Sequence, residues 1–132
     1  MSEPIYIPKA GLNNVGSYQV SGVPWATSSL NAPASSGTPL EVDFPSVTKF
    51  IVVKNVATGS VKVRVGFSAN GVSGSNYFLL DKDESFQADL KVSSIYLLSN
   101  NSTPVPVSIV AGLTGIDASQ LPNNWSGSVG VG

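Results

Sequence analysis

The carboxylates Asp81, Asp83 and Glu84 fall in one run, DKDE, and form the one acidic cluster of the chain. Two acids at alternate positions followed by a third are ligands that a hard cation such as calcium accepts. Lys82 stands among them, however, and no glycine shapes a binding loop, so the run reads as the solvated tip of a hairpin. Glu41 and Asp43 share one face of a strand, because side chains two apart point the same way. Paired acids also serve glycosidases, but nothing in the sequence marks either with a raised pKa, and both read as surface. The chain has neither His nor Cys. That removes the commonest metal ligand, the side chain best suited to acid–base work near neutral pH, and any thiolate or disulfide. Serines are plentiful, but a triad lacks its base and no Ser–Lys motif stands out. The glycines never open a helix, so no phosphate loop is formed. The inventory predicts no catalytic residue, no metal site and no cofactor.

Charge narrows the partners. Charged residues make up 11% of the chain and the formal net charge is −1, which leaves a neutral polar surface rich in Gly, Ser, Asn and Thr. Such a surface has no long-range field to draw in nucleic acid, and little repulsion to hold copies of itself apart. Lys49, Lys54, Lys62 and Arg64 gather in residues 48–68, but four cations are too few for a nucleic-acid footprint and read as edge protection. No apolar run is long enough to span a membrane, and MSEPIYIPKAG lacks the basic-then-apolar order of a signal peptide. The Asn-x-Ser/Thr patterns at Asn100, Asn101 and Asn124 are of the kind that chance supplies in so Asn- and Ser-rich a chain.

The elements that position these residues read as strands throughout. In residues 48–68, TKFIVVKNVATGSVKVRVGFS, Val61, Val63, Val65 and Phe67 alternate with Lys62, Arg64, Gly66 and Ser68. That period of two predicts a half-buried strand with a wetted outer face. The continuous run 50–53 predicts a strand covered on both sides, and 55–59 supplies turn chemistry between them, with Gly59 free to take a positive φ. The stretch is expected to be a central hairpin. Further strands are expected at 17–20, 25–28, 38–44, 77–80, 85–90, 95–98 and 105–111, with a flexible loop at 69–75. Eight or nine short strands at regular spacing predict an all-β chain: an antiparallel β-sandwich, and specifically a single jelly roll. In a jelly roll only the middle pair of strands is joined as hydrogen-bonded neighbours, so the 55–59 turn is expected to be that connection.

The chain divides into three regions: an extended N-terminal arm at 1–14, the jelly-roll sandwich at 15–113, and a flexible C-terminal arm at 114–132. Both arms are too poor in apolar residues to fold alone. Each nevertheless carries spaced anchors, among them Tyr6 and Ile7 in one and Leu121 and Trp125 in the other, which are the interface candidates. Trp25 reads as core, whereas Trp125 has no local core around it.

Four stretches, GSYQVSGVPWATSS, VTKFIVVKNVATGSVKVRVGFSANGV, NYFLL and VSIVAGLTGI, resemble the small single jelly-roll capsid proteins of large icosahedral, nucleocytoplasmic-type DNA viruses. Within that group the chain is most similar to the penton proteins of the fivefold vertices. The resemblance spans residues 16–116 and leaves both arms outside it. It implies a structural, non-enzymatic virion protein that forms a homopentamer beside major and minor capsid proteins, with no cofactor, nucleic acid or membrane span. The second reading is a glycan- or receptor-binding, lectin-like β-sandwich on a virion surface, which needs exposed aromatics beside Asn, Asp or Gln.

Overall fold

The computed structural model describes residues 23–132. The expected strand at 17–20, and Tyr6 and Ile7, lie outside them. Among the described residues eight strands run in chain order: β1 Val23–Ala32, β2 Leu40–Asp43, β3 Ser46–Asn55, β4 Val63–Gly66, β5 Tyr77–Leu80, β6 Ser85–Ala88, β7 Ser94–Ser99 and β8 Val105–Asp117. They form two antiparallel four-stranded sheets, ordered β1-β8-β3-β6 and β2-β7-β4-β5. The expected sandwich is therefore what the chain forms. Six of the seven connections cross from one sheet to the other, and only β4–β5 joins hydrogen-bonded neighbours. This is the connectivity expected of a jelly roll, with a different pair at its middle.

The hairpin expected across 48–68 is not there: β3 and β4 lie in opposite sheets. Asn55 explains why. Its side chain is fully buried and donates to the carbonyls of Val61 (2.9 Å) and Leu80 (3.1 Å), while its Oδ1 accepts from the Ala57 amide (3.0 Å). A residue read as turn chemistry thus pins the end of β3 to the facing sheet, and Gly59 keeps a negative φ. The DKDE run is likewise a crossing from β5 to β6 rather than a hairpin tip. It is solvated as expected, with Asp83 at φ 65° and the Glu84 carboxylate accepting from the Asp81 amide (2.7 Å).

Between the sheets, Ile51, Val53, Val107, Ile109 and Ala111 of one meet Val42, Val63, Val65, Ile95 and Leu97 of the other, all buried. Val61 and Phe67 pack against this core while remaining partly exposed, so the facing read from the alternation holds. Trp25 packs edge-on against Phe44, with ring centroids 5.0 Å apart. The outer side of β4 departs from expectation. Lys62 is exposed, but Gly66 and Ser68 are buried. Residues 69–75 are not an open loop: α1, Ala69–Ser73, is capped by the Ser68 hydroxyl, which accepts from the Gly71 amide (2.8 Å). The helix lies against β4 and β7, with Val72 and Leu98 both buried. A single turn of helix is too short to leave a 3.6-residue period in the sequence.

Candidate functional site

The last strand and the segment after it help to shape two clefts among the described residues. β8 runs on to Asp117, past the boundary placed at residue 113. Asp117 then caps a short 3-10 helix, Ala118–Gln120, by accepting from the Ser119 amide (3.0 Å). That hydrogen bond holds the Asp117 carboxyl below its ordinary pKa. Leu121, one of the interface candidates, turns inward and joins Val47 and Ile116 in a small second core. It anchors the segment and offers little surface to a partner.

Asn124 fixes the tail to the sandwich. Its Oδ1 accepts from the Ser93 amide (2.7 Å), the Ser94 amide (3.2 Å) and the Ser93 hydroxyl (3.3 Å), and its Nδ2 donates to the carbonyls of Ser94 (2.6 Å) and Phe67 (2.8 Å). These bonds join the start of β7, the end of β4 and the tail through one buried amide. Asn124 and Trp125 both have positive φ, 47° and 65°. Asn tolerates this region; for an aromatic it is a genuine outlier, costing on the order of 1–3 kcal/mol. Trp125 is held there by its indole, whose Nε1 donates to the Lys91 carbonyl (2.5 Å), and it stays 39% exposed. The chain end then folds over α1. The Ser68 hydroxyl that caps the helix also donates to the Val131 carbonyl (2.9 Å), and a Cβ at Gly71 would lie 2.0 Å from that oxygen.

Two clefts flank Asn124. The first, of about 410 Å³, is mainly apolar: Trp125, Phe67, Leu90, Val129 and Val131 line it, with Asp89 and Lys91 contributing one charge of each sign. The second, of about 310 Å³, is polar and includes Glu41, Asp43, Tyr96, Ser94, Ser119 and Asn123. Glu41 and Tyr96 are cross-strand partners on β2 and β7. Hydrogen bonding to Asp43, then burial and the like charge of Asp43, raise the Glu41 carboxyl above its ordinary pKa, partly opposed by Tyr96. Burial, with the Glu41 charge beside it, raises the Tyr96 phenol in turn. A like charge beside a carboxyl disfavours its ionised form, which is the sense of the Glu41 shift. The two acids are exposed, as read from the sequence. Their coupling was not visible there because it depends on rotamers and on Tyr96 from another strand.

Of the four interface candidates, the structure places Leu121 in a core and Trp125 in a cleft wall. Asn124, Phe67 and Tyr96 were missed as contributors. The one sequence signal for Asn124 was its tolerance of a left-handed backbone, which many Asn residues in this chain share. Among the described residues, no three or more acids gather in metal-binding geometry; the Glu84 carboxylate closes its turn onto the Asp81 amide, and the Asp81 carboxylate makes an exposed pair with Lys62. No helix of the described residues is long and apolar enough to cross a membrane.

Comparison with known proteins adds little. No protein family matches the chain, and no curated protein does. Among solved structures, the chain overlaps a pentameric capsid protein isolated from metagenomic phage sequences, at 12% identity and a TM-score of 0.30, over 90% of this chain and 85% of that one.

Proposed function

We propose that this chain is a structural capsid protein that assembles as a homopentamer at the vertex of an icosahedral shell, with no catalytic activity, among major and minor capsid proteins of the virion. The observation that carries the reading is the strand order. The described parts of the stretches that resemble penton proteins fall on β1, β3–β4, β5 and β8, strands whose order in the two sheets is that of a single jelly roll. The surface supports a life among neighbours: a net charge of −1 opposes no close packing of copies, and an apolar cleft opens beside the tail. Sedimentation velocity is the test. A species of five times the 13.6 kDa chain mass is expected, and a chain that stays monomeric at all concentrations overturns the reading.

A glycan- or receptor-binding module is the second reading. It has in its favour the partly exposed Trp125 beside Asp89, an aromatic platform next to a hydrogen-bonding group. Specific glycan-array binding by a monomer, lost in Trp125→Ala, would replace the capsid reading with this one.

A further inference from the structure

We propose that the Trp125 cleft is the receptor for residues 4–8, PIYIP, of a second copy of this chain; the inference rests on the pentamer reading. The cleft has a Trp wall, Phe67 and Leu90 within it, and one acid and one base at its edge. Its size lies within the range of pockets that hold ligands, roughly 300–1,000 Å³. The chain contains a segment of matching chemistry. Ile5, Tyr6 and Ile7 are apolar or aromatic and uncharged, and the nearest charged side chains are Glu3 on one side and Lys9 on the other. Pro4 and Pro8 bracket them. Proline fixes its own φ and biases the residue before it to extended backbone, so the segment gives up little freedom on lying in a groove. Extended proline-flanked peptides in aromatic-lined grooves are a recurrent mode of recognition.

The pentamer reading makes a second copy the donor, and the positions of the two ends allow it. β1 is the edge strand of its sheet among the described residues, and its first residue, Val23, is 61% exposed there. Val23 pairs with Leu113 of β8, and Leu113 pairs with Thr48 of β3. The Thr48 hydroxyl donates to the Leu90 carbonyl (2.6 Å) and accepts from the Val92 amide (3.1 Å), both in the cleft wall. The point where the N-terminal segment leaves and the cleft that would receive it are thus on opposite sides of β8 and β3, roughly 14 Å apart at the usual strand spacing. A donor at one edge and a receptor at the other make a head-to-tail contact, the kind that repeats around a closed ring. Residues 8–22 extended span about 50 Å, ample to reach a neighbour.

The test uses full-length chains carrying Trp25→Phe, so that Trp125 is the only tryptophan. Replacing Ile5, Tyr6 and Ile7 together by Ser is expected to move Trp125 emission to longer wavelength, to increase its quenching by acrylamide, and to weaken self-association on the order of tenfold or more. Trp125→Ala should weaken association by a similar factor, and combining it with the Ser substitutions should add little, because both remove one contact. In the chain with its N-terminal segment intact, dilution below the dissociation midpoint should produce the same Trp125 shift. A Trp125 signal that depends on residues 5–7 but not on protein concentration overturns docking in a second copy and assigns it to the chain's own segment. An oligomer by sedimentation whose Trp125 ignores the Ser substitutions overturns this inference and leaves the pentamer reading standing. A chain monomeric at all concentrations overturns both.

Discussion

Asn124 occupies the position where most backbone polarity converges. Five hydrogen bonds meet on its amide, and four of the partners are backbone groups of Phe67, Ser93 and Ser94. Truncation strands those groups in a buried site, and an unpartnered buried donor or acceptor costs about 1–3 kcal/mol. Asn124→Ala is expected to lose about 2–4 kcal/mol in urea denaturation. Asn124→Gly should lose nearly as much, although glycine has no difficulty with φ 47°. If Gly matched the parent chain, backbone strain would outweigh the hydrogen bonds. Glu41 gives a second residue-level expectation, in pH. Its folded pKa is raised, so the protonated form favours the fold. The contribution is complete below the ordinary value of 4.5 and is lost as pH rises through the higher folded value. Glu41→Gln should therefore gain in melting temperature relative to the parent chain as pH climbs past 4.5, then hold a constant difference. A flat difference from about pH 3 to 7 would show that folding does not raise the Glu41 carboxyl.

At the scale of elements, the alternation in β4 predicts a ranking. Val65 is fully buried, and losing most of a buried apolar side chain costs about 2–3 kcal/mol. Arg64 points the other way but is not idle: Nε donates to the Asn100 Oδ1 (2.9 Å), Nη1 to the Val72 carbonyl (3.4 Å), and the guanidinium lies 4.6 Å from the Tyr77 ring centre. Val65→Ala should thus destabilise more than Arg64→Ala, with the latter costing about 1 kcal/mol rather than nothing. Facing was legible in Val61 to Phe67 because a period of two is a local property. Pairing was not. Asn and Gly between two apolar runs are the common signature of a hairpin, and the bonds from Asn55 to Val61 and Leu80 that turn the chain to the other sheet are tertiary. The same holds for the candidate site. Trp125 stood out by type, while Phe67, Leu90 and Val131 become its neighbours only through β4, the β6–β7 connection and the tail. Gly71 tests that docking. A methyl there meets the Val131 carbonyl oxygen at 2.0 Å, backbone that cannot give way without moving the tail. Gly71→Ala should expose residues 126–132 to carboxypeptidase while the sandwich keeps its near-native melting temperature. Unchanged resistance to digestion would mean that the tail is not held against α1.

For the whole molecule, the balance of charge sets how assembly should respond to its surroundings. Only 11% of residues are charged and the net charge is −1, so two copies approach with almost no mutual repulsion for salt to screen. The Trp125 cleft carries one acid and one base, and PIYIP carries neither. Contacts of this kind derive from removing apolar surface from water, at about 25 cal/mol per Å², a term that salt leaves nearly unchanged or slightly strengthens. An interface held by ion pairs behaves oppositely, because the screening length shrinks from about 10 Å at 0.1 M to about 3 Å at 1 M. The association constant measured by sedimentation is therefore expected to change by less than about threefold between roughly 0.1 and 1 M sodium chloride, and to fall when temperature is lowered toward about 5 °C as the apolar driving force fades. A steep loss of association with salt would place the interface on the lysines of β3 and Lys62 rather than on the apolar cleft. Ring closure makes the measurement sensitive. In the proposed pentamer the same head-to-tail contact would be repeated at each interface, so even a small change per contact would be multiplied in the population of closed rings.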